Sequence, residues 1–448
     1  MAEIRPLKGW RYQAALEPDI NELTSPLFDV VSEKQRQTLY RQPYNSIHLS
    51  VPAGPNPADR AAALLSEWKK NEVLQQDVLP AIYVYYQYFT LPGSHQEYCR
   101  KGFMCHIWAY DWAEKIMLRH ENTLPGSVND RLELLDKTKM QTSATHGLYT
   151  DPHCSLEKYL DESMQAPLYE TEDYQGARDV LAVIQDLRVI REFMRVLADK
   201  QVLLADGHHR YESSLTYRQK MTSQNPNHTG REAYNYHFIY LTNTENEDLK
   251  ILPTHRVLTG LPFTDEAFLQ KLTTDFIIIP VEDAFALNEI IAGKKWAFGL
   301  YLGGRAFKIR LKPEKFPELD WNMPPVVKDL DLTVLHYFVF ERIMGIRRNH
   351  QRNFSDLQYN RNFAQCLTLV DTSQARAAFI TNEVTMNEVK QVCYSGAVMP
   401  PKSTFFYPKV ITGFLFSSIE QHEFESEIDS CFQLAPPQRT AGSAGFNI

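Results

Sequence analysis

The chain has 448 residues, of which 44% are hydrophobic and 23% charged, a composition typical of a soluble globular protein with two or three domains. Its 47 basic and 55 acidic residues give a net charge of −8, which argues against a nucleic-acid partner because nonspecific binders present a basic face. No stretch reaches the roughly 18 uncharged apolar residues of a membrane span. The first residues lack the apolar region of a signal peptide, so we expect a cytoplasmic protein with no membrane partner.

The first 57 residues carry many turn signals, and periodic patterns begin after them. Apolar periodicity and β-branched or aromatic runs then define the elements of the first region. In chain order we predict a helix over 61–70, strands over 82–90 and 102–110, a helix over 130–139, a strand over 179–185, a helix over 187–197, and strands over 202–205, 236–242 and 249–252.

The pattern restarts near residue 260 with polar turns and a helix, so we place a domain boundary there. Strands are predicted over 296–302, 307–311 and 377–381, and helices after Asp331 and over 386–394. The fold class is therefore α+β, with one region over 1–260 and a C-terminal α+β domain over 261–448 that could complete an active-site cleft. Residues 435–448 contain Gly-Ser-Ala-Gly and are expected to be mobile.

The cysteines and histidines do not indicate a dedicated metal site. Six cysteines are scattered without a C-x-x-C pair, so free thiols in a reducing compartment are expected. The fourteen histidines include no H-x-H or H-x-x-x-H spacing. A phosphate site with transient Mg²⁺ therefore fits the sequence better than a zinc site.

The segment 201–218, QVLLADGHHRYESSLTYR, is the most informative part of the sequence. An apolar strand, a polar turn and a helix follow one another, a geometry that directs backbone N–H groups at an anion. Gly207 permits a positive φ, Arg210 can bind phosphate oxygens, and His208 and His209 can donate hydrogen bonds. Asp206 can orient a histidine or bind Mg²⁺; the alternative is a turn in which Asp206 caps the helix.

A second polar cluster runs from Arg119 to Thr123 and continues at Arg131. Glu121 is a candidate general base, and Arg131 is a candidate phosphate ligand. His120, Thr123 and, in the first cluster, Glu212 are candidate substrate contacts. A solvated loop that opens the helix from Asn129 or Asp130 is an equally good interpretation of these residues alone.

Two further segments add basic residues. His255 and Arg256 follow a predicted strand, and Lys402 follows two prolines that stiffen its approach. Each could contact phosphate. On chemistry alone, a surface His-Arg pair and a stiff loop that enters an aromatic strand are the better interpretations.

These motifs in their order resemble the bacterial and archaeal family catalogued as domain of unknown function 1015, over nearly the whole chain. The run from Ser25 to Val30 stands where the family has a proline-tyrosine-aspartate run. The matching runs are Ile4-Arg5-Pro6, Ser25 to Val30, His120 to Thr123, Asp130-Arg131-Leu132, Ala205 to Glu212, Pro253 to Arg256 and Pro400 to Lys409.

The Gly-His-His-Arg-Tyr core also resembles the phosphate-binding signature of the ParB/sulfiredoxin superfamily, which implies a mixed α/β core of that type with additional N- and C-terminal α+β regions. That superfamily includes CTPases, a sulfinic acid reductase and kinases of free L-serine, all of which place a polyphosphate on the helix N-terminus. His208 stands where sulfiredoxin has cysteine, which disfavours sulfinic-acid repair.

The resemblance implies a phosphotransferase for a small hydroxylated metabolite, with free L-serine as the first candidate and pyrophosphate or a nucleotide as donor. Glu121 would accept the hydroxyl proton, and Asp206 and His209 would act beside the transferred phosphoryl group. Residues 207–210, Arg131, His255, Arg256 and Lys402 would hold phosphates, with Mg²⁺ bridging. A phosphatase or nucleotidase, and a nucleotide-sensing module without turnover, are the alternatives. The oligomeric state is not predicted.

Overall fold

The computed structural model describes residues 2–173 and 175–426. Two β-sheets with helices packed on them form the body of the protein, which confirms the α+β class. The strands are β1 (Ile4–Arg5), β2 (Trp10–Tyr12), β3 (Leu74–Gln76), β4 (Ile82–Thr90), β5 (Glu97–Trp108), β6 (Met117–Arg119), β7 (Met140–Gln141), β8 (Thr145–Tyr149), β9 (Tyr169–Glu172), β10 (Arg178–Ile184), β11 (Val202–Asp206), β12 (Tyr236–Asn243), β13 (Lys250–Ile251), β14 (His255–Leu258), β15 (Phe276–Val281), β16 (Ala297–Leu302), β17 (Arg305–Leu311), β18 (Leu357–Asn360), β19 (Ala377–Ile380), β20 (Phe406–Tyr407) and β21 (Ser417–Ser418).

The α-helices are α1 (Ile20–Leu23), α2 (Glu33–Leu39), α3 (Ile47–Ser50), α4 (Pro57–Lys70), α5 (Pro125–Thr138), α6 (Glu157–Ser163), α7 (Leu187–Leu197), α8 (His208–Gln224), α9 (Asp265–Leu272), α10 (Leu287–Ile291), α11 (Pro325–Lys328), α12 (Asp331–Leu335), α13 (Phe363–Asp371), α14 (Met386–Ser395) and α15 (Gln421–Phe424). A π-helix, His336–Ile343, continues α12, and a 3₁₀ turn over Gln351–Asn353 precedes β18.

The first sheet has nine strands in the order β6-β11-β8-β12-β5-β4-β10-β9, with β1 paired to β5. Only the β6–β11 and β8–β12 pairs are parallel. All eight residues of β12 are buried because apolar clusters cover both faces of the sheet, one of them packed with α7 and α8. The carboxyl end of β11 is thereby fixed in the middle of a large core.

The second sheet has six antiparallel strands in the order β15-β17-β16-β19-β14-β18. Its core is built from Phe276, Phe298, Phe338, Phe340 and Phe379, packed edge to face. The sheet takes strands from residues 255–380, close to the predicted boundary near 260, and the domain division itself stays a prediction.

The C-terminal segment returns to the first sheet after the second is complete. β20 pairs with β13, β21 pairs with β7, and bridges join Ser25 to Thr412 and Trp10 to Phe416. Glu423 closes the contact by accepting hydrogen bonds from Lys69 Nζ at 2.6 Å and Trp10 Nε1 at 3.1 Å. Residues 406–424 therefore cross the first region and bring Lys409 into contact with Asp206.

The predicted elements agree closely with the structure where periodicity is strong, and α7 has the predicted bounds. The start predicted for α5, at Asp130, is wrong. α5 begins at Pro125, and proline is favoured in the first turn of a helix. The strand predicted over 249–252 is only the two residues of β13. The mobile tail predicted over 435–448 lies outside the described residues.

Within residues 2–173 and 175–426, none of the helices combines the length and the apolar character that crossing a bilayer requires. The five cysteines in this part of the chain are free thiols.

We expect Gly102→Ala to lower the free energy of unfolding by at least about 1–3 kcal/mol, the usual cost of overpacking. Gly102 lies in β5, where an added methyl group would meet the carbonyl of Leu241 and Tyr240 Cε2 at 2.6 Å. Gly126→Ala in α5 is the matched control, since nothing lies within 4 Å of its added methyl. Urea denaturation of both variants checks this, and equal stabilities would contradict it.

Candidate phosphate-binding site

The site is built where β11 ends and α8 begins. Gly207 joins them with φ +89°, and a methyl group on it would lie 2.6 Å from Thr145 Cγ2 and 2.8 Å from Arg210 Nη2. Glycine is therefore required both for the turn and for the close approach of Arg210. No side chain caps α8, so Asp206 is not the helix cap of the alternative interpretation.

Asp206 is instead held between two cations. Its Oδ2 accepts a hydrogen bond from Arg210 Nη2 at 2.9 Å, and its Oδ1 contacts Lys409 Nζ. Burial alone would raise the pKa of Asp206, but the charges of Lys409 and Arg210 hold that pKa well below its usual range. Asp206 is therefore ionised at neutral pH, and a single negative charge is shared by two positive ones.

Arg210 is itself nine-tenths buried. Its Nη1 donates to Ala144 O at 2.6 Å and to Ser143 Oγ at 3.0 Å, while its Nε has no partner. Burial lowers the pKa of Arg210, which Asp206 raises in turn. The guanidinium is thus fixed in position, and its Nε–H has no acceptor.

Three histidines surround this turn as neutral groups. His120 and His208 pack with ring centroids 4.9 Å apart, and His120 Nε2 contacts Thr404 Oγ1 at 2.7 Å. Burial lowers the pKa of His120, His208 and His209. Nε2 of His208 and of His209 has no hydrogen-bond partner, so both imidazoles can bind a further group.

Several charged side chains lie near His209. The charges of Glu121, Arg352, Lys402 and Asp29 all act on its imidazole. Arg352 Nη2 lies 3.6 Å from Glu121 Oε1 and donates to Asn122 O at 2.9 Å. The structure therefore brings together Glu121, Asp206 and residues 207–210, with Lys402 beside them.

Arg131 lies next to this group, on α5. Its Nη1 donates to Ser50 O at 2.6 Å, its Nη2 is 2.6 Å from Asp130 Oδ2, and its guanidinium lies over the Phe28 ring at 4.5 Å. Its charge acts on Arg210. Arg131 is therefore close to the site, with its orientation fixed by the N-terminal region.

His255 and Arg256 are not phosphate ligands in this arrangement. His255 Nδ1 accepts a hydrogen bond from Thr381 N at 3.2 Å within the second sheet. Arg256 is fully buried and donates to the carbonyls of Thr254, Pro401 and Lys402 and to His336 Nε2. Two of these bonds, to the carbonyls of Pro401 and Lys402, attach Arg256 to the loop that carries Lys402.

The two other predicted substrate contacts, Glu212 and Thr123, differ in their surroundings. Glu212 accepts a hydrogen bond from Trp112 Nε1 at 2.7 Å and lies 3.7 Å from Arg119 Nη1, which satisfies its charge away from His209. Thr123 is half-buried at the start of the loop before α5.

Three charged residues of the site were missed at the sequence level: Lys409, Arg352 and Asp29. Lys409 and Asp29 lie inside runs that the family resemblance includes, so those runs were the available signal. Arg352 lies in a basic stretch, RIMGIRRNHQR, that has no motif to distinguish one arginine from the others.

The described residues contain no group of three His, Cys, Asp or Glu side chains that could hold a metal ion. Both carboxylate oxygens of Asp206 contact cations, so Asp206 does not fit as a Mg²⁺ ligand in this arrangement.

The chain belongs to the family described as "Protein of unknown function (DUF1015)", whose model matches residues 4–333. Lys402, Lys409 and Arg352 lie beyond that match. A search of curated proteins found no match.

Solved structures with a similar arrangement include free serine kinase in complex with AMP, with 13% identity, coverage of 72% of this chain and 93% of that one, and a TM-score of 0.37. A conserved hypothetical protein from Pyrococcus furiosus has 15% identity, coverage of 70% and 95%, and a TM-score of 0.36. SbnI with C-terminal truncation from Staphylococcus aureus has 11% identity, coverage of 70% and 82%, and a TM-score of 0.32. These values are too low to carry an argument about activity, which must come from the site itself.

We expect the stability of the protein to fall as the pH drops below about 6.5. Burial lowers the pKa of His106, His237 and His336 to about 3 and of His255 to about 4. Between those values and pH 6.5 the unfolded chain binds protons that the folded protein does not. Each such histidine therefore removes about 1.4 kcal/mol of unfolding free energy per pH unit.

Urea denaturation at pH 7, 6 and 5 measures this dependence. His106→Gln should make it shallower, whereas His95→Gln, at an exposed position, should leave it unchanged. A free energy of unfolding that stays constant from pH 7 to pH 5 would show that these histidines are not buried as neutral groups.

Proposed function

We propose that this protein is a phosphotransferase that moves a phosphoryl group to the hydroxyl of a small metabolite. Free L-serine is the first candidate acceptor, and pyrophosphate or a nucleotide is the donor. The acceptor is suggested by the sequence motifs shared with the ParB/sulfiredoxin superfamily, and the chemistry is supported by the charges at the β11–α8 turn.

The observation that carries this proposal is the sharing of Asp206 by Arg210 and Lys409. Asp206 is the one carboxylate in direct contact with these two cations, beside the uncapped N-terminus of α8, and Asp29 acts on Arg210 through its charge alone. An uncompensated buried charge is costly, and a helix N-terminus favours anions. A phosphate group at this point would satisfy both features.

Glu121 and the charged residues near His209 would act on the acceptor. Glu121 would accept the hydroxyl proton as the acceptor oxygen forms its bond to phosphorus and the donor's P–O bond breaks. With pyrophosphate as donor, the leaving group is inorganic phosphate. Neutral His208 and His209 can each donate one hydrogen bond to the transferred group, and Lys402 and Arg352 add positive charge near it.

The proposal includes Mg²⁺ only as an ion bound to the phosphates of the donor. Because Asp206 is engaged by two cations, Mg²⁺ would arrive with the phosphates of the donor rather than on a site built by protein carboxylates.

The test is to incubate the purified protein with L-serine, Mg²⁺ and pyrophosphate, ADP, ATP or CTP in turn, and to follow the products by phosphorus NMR. A phosphomonoester of the acceptor supports the proposal. Release of inorganic phosphate without such a product indicates a phosphatase or nucleotidase, and binding without turnover indicates a sensing module. Either of these results would overturn the proposal.

We expect Glu121→Gln to lower kcat by about two to four orders of magnitude, the usual effect of losing a general base. The change keeps the size of the side chain and leaves the β11–α8 turn intact, so the Kd for the donor should change little. Glu133→Gln, an exposed substitution on α5, is the control. If kcat of Glu121→Gln stays within threefold of the control, Glu121 is not the base.

We expect Lys409→Gln to weaken donor binding by about 10- to 100-fold, because it removes one of the two cations that contact Asp206 and so lowers the positive charge beside the N-terminus of α8. Lys220→Gln serves as the control, since Lys220 is an exposed residue of α8 that pairs with Asp136. Calorimetric titration with pyrophosphate measures both. Equal affinities in the two variants would contradict the charge argument.

A further inference from the structure

A small pocket is lined in part by Arg210, the residue that pairs with Asp206. It is formed between α5 and α8 by Arg131, Met140, Ser143, Arg210, Ser214 and His237, together with neighbouring residues of the same elements. Most of these side chains are polar, although the pocket lies between two packed helices. Empty cavities in proteins are normally apolar, so this lining favours an occupant.

Two hydrogen-bond donors of the lining can serve an occupant, the N–H of Arg210 Nε and the hydroxyl of Ser143. Arg210 is nine-tenths buried and its Nε has no partner, while Nη1 and Nη2 are used by Ala144, Ser143 and Asp206. The hydroxyl of Ser143 accepts from Arg210 Nη1 and keeps its own hydrogen free to donate. A buried guanidinium N–H without an acceptor is destabilising, and an occupant that accepts hydrogen bonds would remove this cost.

His237 limits the kind of occupant. It lies at the wall of the pocket with both ring nitrogens engaged, by Thr145 Oγ1 at 2.9 Å and Ser214 Oγ at 2.7 Å. Burial lowers the pKa of His237 to about 3, so it adds no charge at neutral pH. The charges at the pocket are thus the guanidinium groups of Arg210 and Arg131, the latter partly compensated by Asp130.

We propose that this pocket is a second subsite, which binds an oxyanion of one of the two substrates while the first anion occupies the β11–α8 turn. This inference rests on the proposed function, because it assigns the pocket to a ligand of that reaction. Arg210 would donate the N–H of its Nε, which has no partner, to this second anion. The oxyanion is either a second phosphate of the donor or the carboxylate of an amino-acid acceptor, since both accept hydrogen bonds from a guanidinium and a hydroxyl.

Substitutions at Ser143 test the subsite without altering Asp206, Lys409 or Glu121. Ser143→Asp places a carboxylate beside Arg210, where it would pair with the guanidinium and repel an anion. Ser143→Leu fills the pocket without adding charge. Ser143→Asn is the control, because it has nearly the size of aspartate and remains neutral.

The wild-type protein and the three variants are titrated at equilibrium with pyrophosphate, L-serine and ethanolamine, which is serine without its carboxylate. We expect Ser143→Asp and Ser143→Leu to weaken binding at least tenfold relative to Ser143→Asn. Weaker binding of pyrophosphate identifies the occupant as a donor phosphate. Weaker binding of L-serine, with ethanolamine unaffected, identifies it as the acceptor carboxylate.

Two results would overturn the subsite. In one, Ser143→Asp and Ser143→Leu bind all three probes within threefold of Ser143→Asn, as for a pocket that holds only water. In the other, only Ser143→Asp loses affinity, which indicates an electrostatic effect on the β11–α8 turn. These are binding measurements, so they are independent of the phosphorus NMR assay, and failure of the subsite is distinguishable from failure of the phosphotransferase proposal.

Discussion

One carboxylate between two buried cations organises the centre of this protein. Asp206 ends β11, Arg210 is one helical turn into α8, and Lys409 belongs to the segment that returns from the second sheet. The three charges join a strand, a helix and a distant crossing segment at one point. The contact that holds these parts together also leaves two cations on one carboxylate, and this charge arrangement is the basis of the anion binding that we propose.

The local features of this centre follow from short-range rules and could be predicted. The apolar strand, the Asp-Gly turn and the helix are each indicated by their local sequence. Gly207 adopts the positive φ that its position suggested. Neighbouring elements such as α7 follow equally well from their apolar period. Glu121 also lies beside His209, where the motif containing it suggested a role.

The remaining parts depend on contacts that no local pattern encodes. The prolines before Lys402 single out that lysine in the sequence, but Lys409 makes the contact with Asp206, because tertiary packing decides which lysine of the loop enters the site. Arg256 is a predicted phosphate ligand, but all three nitrogens of its guanidinium bond to backbone carbonyls or to His336. The sequence shows that a residue is basic, but the fold determines which hydrogen-bond acceptors its side chain contacts.

The crossing of the C-terminal segment has a consequence for how the protein is made. Lys409 follows Asp206 by 203 residues, and a ribosome adds about 5–20 residues per second, so about 10–40 seconds separate the two residues during translation. Until then a nascent chain can form β11 and α8, but its Asp206 compensates Arg210 alone. The full set of charges at the β11–α8 turn is therefore assembled only when the segment that carries Lys409 docks, and we expect a nascent chain without this segment to bind an anion more weakly than the folded protein.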